Sequence, residues 1–307
     1  MASAQGSTTT AGARAGRSSL FGLEGEAHAL ADRLPELILD ALRVANTVAH
    51  GIHGRRRAGT GETFWQFRHA QAGDAQSAID WRQSARSQGL FVRETEWAAA
   101  QVVGLWRDGS ASMAWSSSAS LSQKKDRAEL LLLALAALLL KAGEKVALLS
   151  GTLPPTTGGA ALYRLGLTLA AEAEALPPAG RLPRHAERVL VSDFLMPLPE
   201  LERSLRTLAA EGGGGHLIQV LDPAEESLPY EGRIRFMGLE DEGEFLARRA
   251  EDLRNSYQRR LAAHRDGLIT LARSLGWSFT LHHTDQPPQV PLLALHARLG
   301  GPRARFR

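Results

Sequence analysis

Cysteine is absent from the 307 residues. That excludes disulfides, thiol catalysis and thiolate metal sites, and it fits a reducing compartment. There is no Gly-x-Ser-x-Gly, no phosphate-binding loop ending in Gly-Lys-Ser/Thr and no dinucleotide fingerprint, so serine hydrolases of the elbow type, P-loop NTPases and nicotinamide dehydrogenases are set aside. Long apolar runs are missing too. The most apolar stretch, Leu130 to Leu140, is about half the roughly 20 residues that a membrane-spanning helix needs. It reads as a buried core helix, and no membrane span is expected. An excess of one sign of charge is also lacking: 36 basic against 33 acidic residues leave a net charge of +3, with a pI of about 9.6. This is too mild for a dedicated nucleic-acid binder. The start, Met1 to Ser19, is rich in Ala, Gly, Ser and Thr with no apolar stretch, so no secretory signal is read and residues 1–33 are assigned to a disordered tail. A cytoplasmic protein is the expectation.

What is present is an ordinary globular composition, 44% apolar and 22% charged, on a chain long enough to bury a core without staples. A helix is read over Leu34 to His53, followed by glycines around the run Arg55, Arg56, Arg57. That run reads as a solvated loop; the alternative is a partner-facing patch for an acidic surface or a phosphate. Strands are read at Glu62 to His69 and Leu90 to Trp97, with a helix from Ala75 to Ser87 between them. Residues 34–97 thus form one N-terminal segment. From residue 98 to 300 the pattern becomes alternating short apolar strands and helices, with a long helix over 241–276 followed by a last strand, Trp277 to Leu281, and a short helix, Leu292 to Leu299. Helical connections between fully apolar strands predict an α/β fold with a doubly wound, mainly parallel sheet covered on both faces.

The chemistry concentrates at two strand ends. Leu105-Trp106-Arg107 runs directly into Asp108-Gly109-Ser110-Ala111-Ser112, and Val189-Leu190-Val191-Ser192 runs into Asp193. In a doubly wound sheet the loops at the carboxyl ends of strands form the ligand crevice. Asp-x-Ser-x-Ser can aim three oxygens at one point, and an oxygen-only donor set suits a hard cation such as Mg²⁺. The plain alternative is that both aspartates cap helices and the serines sit in a turn.

Asp108-x-Ser110-x-Ser112 resembles the metal-ion-dependent adhesion site of von Willebrand factor A domains. The resemblance implies that Ser110 and Ser112 bind Mg²⁺ (or Mn²⁺ or Ca²⁺) directly, and that Asp108 and Asp193 act directly or through water. A partner's Asp or Glu would fill the open position. It also implies a threonine before a later helix, for which Thr157 is the candidate. A second segment, Phe64 to Arg86, resembles the signature of the bacterial family called domain of unknown function 58, through Arg68, Gly73-Asp74, Ile79-Asp80-Trp81 and Ala85-Arg86. The later order, Asp-x-Ser-x-Ser, then Ser-Asp, then Asp222-Pro223-Ala224-Glu225, then a long helix with Tyr257, agrees with it over roughly residues 36 to 300. The resemblance implies a von Willebrand factor A-like, Rossmann-like fold and work beside a MoxR-type AAA+ ATPase in the maturation or assembly of other proteins.

Arg68, Asp74, Asp80, Arg82 and Arg86 alternate in sign within a short stretch, which by itself suits internal ion pairing and capping. His282-His283 and His50-x-x-His53 lack further spaced ligands and read as strand or surface histidines. Two functions from different classes follow. One is a non-catalytic module that recruits an acidic protein group through a metal. The alternative is a Mg²⁺-dependent hydrolase using Asp108 and Asp193, against which stands the lack of a nucleophile or positioned base in either loop.

Overall fold

The computed structural model describes residues 33–49, 64–71, 76, 79–86, 89–95, 100–180, 182–239 and 243–299. Residues 1–32, the run Arg55 to Arg57, Gly73, Asp74, His50 and His53 lie outside them. Arg68 is described only by its place in a strand.

Residues 33–49 form a helix, α1. Its apolar positions Ala41, Val44, Ala45 and Val48 are buried and follow 3–4 spacing. Strands β1 (Phe64–His69) and β2 (Phe91–Thr95) pair antiparallel. Between them lies the single turn of helix α2 (Trp81–Ser84), capped by Asp80, whose carboxylate accepts from Gln83 N at 2.9 Å.

The remainder is the α/β body. Its order is β3 (Val102–Arg107), α3 (Lys124–Lys141), β4 (Lys145–Leu148), α4 (Ala161–Ala171), β5 (Glu187–Ser192), α5 (Leu198–Ala210), β6 (Gly215–Leu221), α6 (Pro223–Ser227), β7 (Ile234–Met237), β8 (Glu244–Ala247), α7 (Ala250–Ser274), β9 (Ser278–His283) and α8 (Gln289–Leu299). Five strands form a parallel sheet in the order β4-β3-β5-β6-β9.

The alternation of side chains along each strand splits the core. Val103, Leu105, Val189, Val191, Ile218 and Val220 pack with α1, α3, α4 and α8. Trp106, Leu190 and Leu217 pack with α5 and α7 on the opposite face. The sheet is therefore doubly wound, and burial on both faces is why its strands read as continuous apolar runs. The chain leaves β3 outward to β4 and returns past it to β5. The strand order thus reverses between β3 and β5, the place where such sheets open a crevice at their carboxyl edge.

The helix expected over 241–276 is corrected. It begins at Ala250, and residues 244–247 instead pair with β7 as an antiparallel hairpin. Gly243 has φ +82° and its carbonyl accepts from Gly238 N at 2.8 Å, a turn geometry that a helix cannot contain.

Candidate functional site

The switch point brings two loops together. Asp108 leaves β3 fully buried, and its N–H donates to Val191 O of β5 at 3.0 Å. Its Oδ1 accepts from Ser110 N at 2.8 Å and its Oδ2 from Ser192 Oγ at 2.5 Å. Asp193 leaves β5 one residue later. Its Oδ1 accepts from Leu195 N at 3.1 Å, and its carbonyl accepts from the Gln219 amide at 2.8 Å. Ser112 Oγ donates to Asp193 Oδ2 at 2.9 Å and lies 3.0 Å from Ser110 Oγ. Thus Asp108, Ser110, Ser112 and Asp193 form one hydrogen-bonded group. Ser192, between the two aspartates, joins it from β5.

Close backbone approach holds the first loop in place. Gly109 N donates to Glu174 O at 2.9 Å, and a Cβ on Gly109 would meet the Ala173 backbone carbon at 2.3 Å. Arg107 reinforces this from the other face of β3. Its guanidinium donates to the carbonyls of Asp108 (2.7 Å), Leu169 (2.9 Å) and Glu172 (2.7 Å) and pairs with buried Glu129 at 3.4 Å. Burial lowers the Arg107 pKa and raises that of Glu129.

Sequence reasoning missed the nearest cation. Lys124, the first residue of α3, is fully buried. Its Nζ donates to Asp193 Oδ2 at 2.8 Å and pairs with Glu225. Burial pulls the Lys124 pKa down, but Asp193 and Glu225 outweigh it and the net direction is upward. Glu225 comes from the capping box of α6, in which Asp222 accepts from Ala224 N at 2.9 Å and Glu225 Oε2 accepts from Asp222 N at 2.9 Å. The segment Asp222-Pro223-Ala224-Glu225 was a visible signal for this cap; its reach to Lys124 was not. Burial raises the pKa of Asp108, and it raises that of Glu225 against the pull of Lys124. From α7, Tyr257 lies in the field of Glu225 and Glu226, and burial first, then these charges, push its phenol up to about 12.

Thr157 is not part of this group. Thr156 pairs antiparallel with Val146 at the outer edge of β4. Val146 is level with Val103, five residues before Asp108, so Thr157 sits roughly 16 Å back along the strand direction. The short edge segment after β4 reverses the chain and carries the threonines away from the carboxyl edge. In the N-terminal signature, Asp80 works as a cap, Trp81 stands 60% exposed and Arg86 is exposed at the end of α2. His282 is buried in β9, and His283 pairs with Glu226 at 2.5 Å.

The donor set suits a hard divalent cation in kind: hydroxyl and carboxylate oxygens only, on rigid strand ends. Formal charge also leaves room for one: Asp193 and Glu225 share the Lys124 ammonium, and buried Asp108, whose carboxylate accepts from Ser110 N and Ser192 Oγ, adds a further carboxylate to the group. Among the described residues no three Asp, Glu, His or Cys side chains converge as a metal cage, so any ion here would rest on the serine hydroxyls as much as on carboxylates.

A search of curated proteins finds no match. Among solved structures, the chain is similar to a conserved hypothetical protein BatB from Bacteroides thetaiotaomicron (TM-score 0.37, 14% identity, covering 66% of this chain and 98% of that one). It is also similar to an aerotolerance-related membrane protein from Bacteroides fragilis NCTC 9343 (TM-score 0.35, 15% identity, covering 64% and 97%). Among the described residues no helix is long and apolar enough to cross a membrane. Residues 66–267 match the family described as protein of unknown function DUF58, and with that much of the chain covered it belongs to that family.

Proposed function

We propose that this protein is a non-catalytic, cytoplasmic protein-binding module whose carboxyl-edge site takes a divalent cation and, through it, an acidic group of a partner. The partner proposed is a MoxR-type AAA+ ATPase or its client. The observation that carries the reading is the hydrogen-bonded chain Ser110–Ser112–Asp193, which joins two strand-end loops at the point where strand order reverses. Ser110 and Ser112 would hold Mg²⁺ directly, with Asp193 and Asp108 behind them. When bound, the ion supplies a charge that a partner's carboxylate can complete. Arg107, Gly109 and Ser192 keep the loops in register, so the site is built before any partner arrives.

The hydrolase reading is weakened by the state of the ammonium that touches Asp193. Lys124 has its pKa raised, and it therefore serves as a cation and not as a general base. Pull-down of a MoxR-type ATPase with and without a chelator, on the wild-type chain and on Ser110→Ala, tests the proposal. Binding that falls at least tenfold in both cases supports it. Binding that survives both sinks it, as does hydrolysis of generic phosphate or ester substrates that depends on Mg²⁺ and Asp193.

A further inference from the structure

Lys124 stands where charge chemistry alone would not put it. Only four of the 36 basic residues are lysine, and this one opens α3, where the helix dipole repels a cation. It is also fully buried, which penalises an ammonium further. Two carboxylates hold it there against both effects, Asp193 Oδ2 at 2.8 Å and Glu225 Oε1. The oxygen it takes on Asp193 is the same one that receives Ser112 Oγ. That oxygen is therefore shared between the serine arm of the site and a positive charge belonging to the chain itself.

We infer that Lys124 is a tethered competitor for the cation position at Asp193, with Glu225 as its second seat, and that this pair sets how tightly the site takes a divalent ion. The inference rests on the cation-binding reading above. A lysine suits this role better than an arginine. Its ammonium is a compact point charge on a flexible four-carbon stem, so it can shift its weight between two carboxylates without the fixed fork geometry that a planar guanidinium imposes. Glu225 is held by its own capping hydrogen bond to Asp222 N, so the second seat stays in place when the ammonium leaves the first. The site is thereby never a bare group of buried carboxylates. Divalent binding exchanges one cation for another, which weakens it and makes it responsive to concentration.

Mg²⁺ titration by calorimetry, on the wild type, Lys124→Gln and Lys125→Gln, tests this. Lys125→Gln makes the same charge change one residue away and reports the long-range field alone. Lys124→Gln should bind Mg²⁺ at least tenfold more tightly than wild type, and Lys125→Gln within about twofold. Equal affinity in the two variants, or weaker binding in Lys124→Gln, overturns the inference while leaving the metal site standing. No Mg²⁺ binding in any of the three proteins overturns both the site and the inference. If Lys124→Gln fails to fold, nitrogen-15 spectra of the wild-type lysine ammonium groups decide instead. The buried Lys124 signal should broaden or move as Mg²⁺ saturates, while Lys141 stays fixed. A Lys124 signal unchanged at saturation overturns the inference.

Discussion

At the scale of single residues, burial decides which ionisable groups matter. His282 is 3% exposed, its Nε2 has no hydrogen-bond partner among the described residues, and burial, then Arg127 and His283, push its pKa down to about 4. A histidine whose folded pKa lies below its unfolded value of about 6.5 is neutral when folded and takes up a proton on unfolding. Its contribution to stability is fully present above pH 6.5 and is lost as pH falls toward 4. Between pH 7 and pH 5 the loss should be about 2 kcal/mol. Denaturant unfolding of the wild type and His282→Leu at both pH values measures it. The wild type should lose about that much more than the variant, and parallel losses would remove the assignment. By contrast Asp80, one of several charges in the N-terminal signature, contributes by geometry: its carboxylate caps α2, and its N–H donates to Phe91 O at 2.9 Å, tying the turn to β2. The alternation of charges in that stretch made a cap and an ion pair equally readable.

Among the elements, the strand ends carry the site, and they were also the most legible part of the sequence. Two apolar runs each ending on aspartate, with helices between them, are enough to place Asp108 and Asp193 on one edge, because parallel strands must all point the same way. Hydrogen bonds then add what no linear pattern contains. Ser192 reaches Asp108 across the β3–β5 pairing, and Lys124 reaches Asp193 from the start of a helix whose residues look like plain core. The β7–β8 hairpin escaped notice for a similar reason. Its strands are four residues each, β7 alternating between half-buried and exposed and β8 exposed except at Ala247, and Leu246 fits the helical spacing that follows. Thr157 failed because sequence order says nothing about which end of β4 the chain returns to. Gly109 gives the test at this scale. Its Cβ position lies 2.3 Å from the Ala173 backbone, and backbone cannot rotate away as a side chain can. Gly109→Ala should cost about 1–3 kcal/mol by overpacking and should weaken any rise in melting temperature with Mg²⁺, since the loop carrying Ser110 and Ser112 must shift. A variant within 0.5 kcal/mol of the wild type with its metal response intact would show that the contact gives way freely.

For the whole molecule, the telling relation is between α1 and the α/β body. The sequence suggests an N-terminal segment over residues 34–97, because the change to alternating strands and helices is a local signal. Packing is not local. Ala41, Val44, Ala45 and Val48 belong to the same buried cluster as α3, α4 and α8. Leu34 is fully buried, and it lies close enough to Gly166 in α4 that a Cβ there would stand 2.5 Å from its Cδ1. Arg33 adds polar ties to α3, meeting Asp126 at 2.7 Å and Glu129 at 3.4 Å. Glu129 is the buried partner of Arg107, so α1 also supports the far side of the strand that carries Asp108. Removing α1 would forfeit the burial of Leu34, Val44 and Val48 against the body and bare the facing sides of α3 and α4. At about 1.5–3 kcal/mol for each large apolar side chain, those three alone amount to roughly 5–9 kcal/mol, which is comparable to the whole stability of a typical domain. A fragment of residues 98–300 should therefore lack a cooperative melting transition and should bind a hydrophobic dye, whereas residues 33–300 should melt cooperatively. Should the shorter fragment melt within a few degrees of the longer one, α1 would be an ornament on the body, and its ion pair to Glu129 would have no part in holding the site.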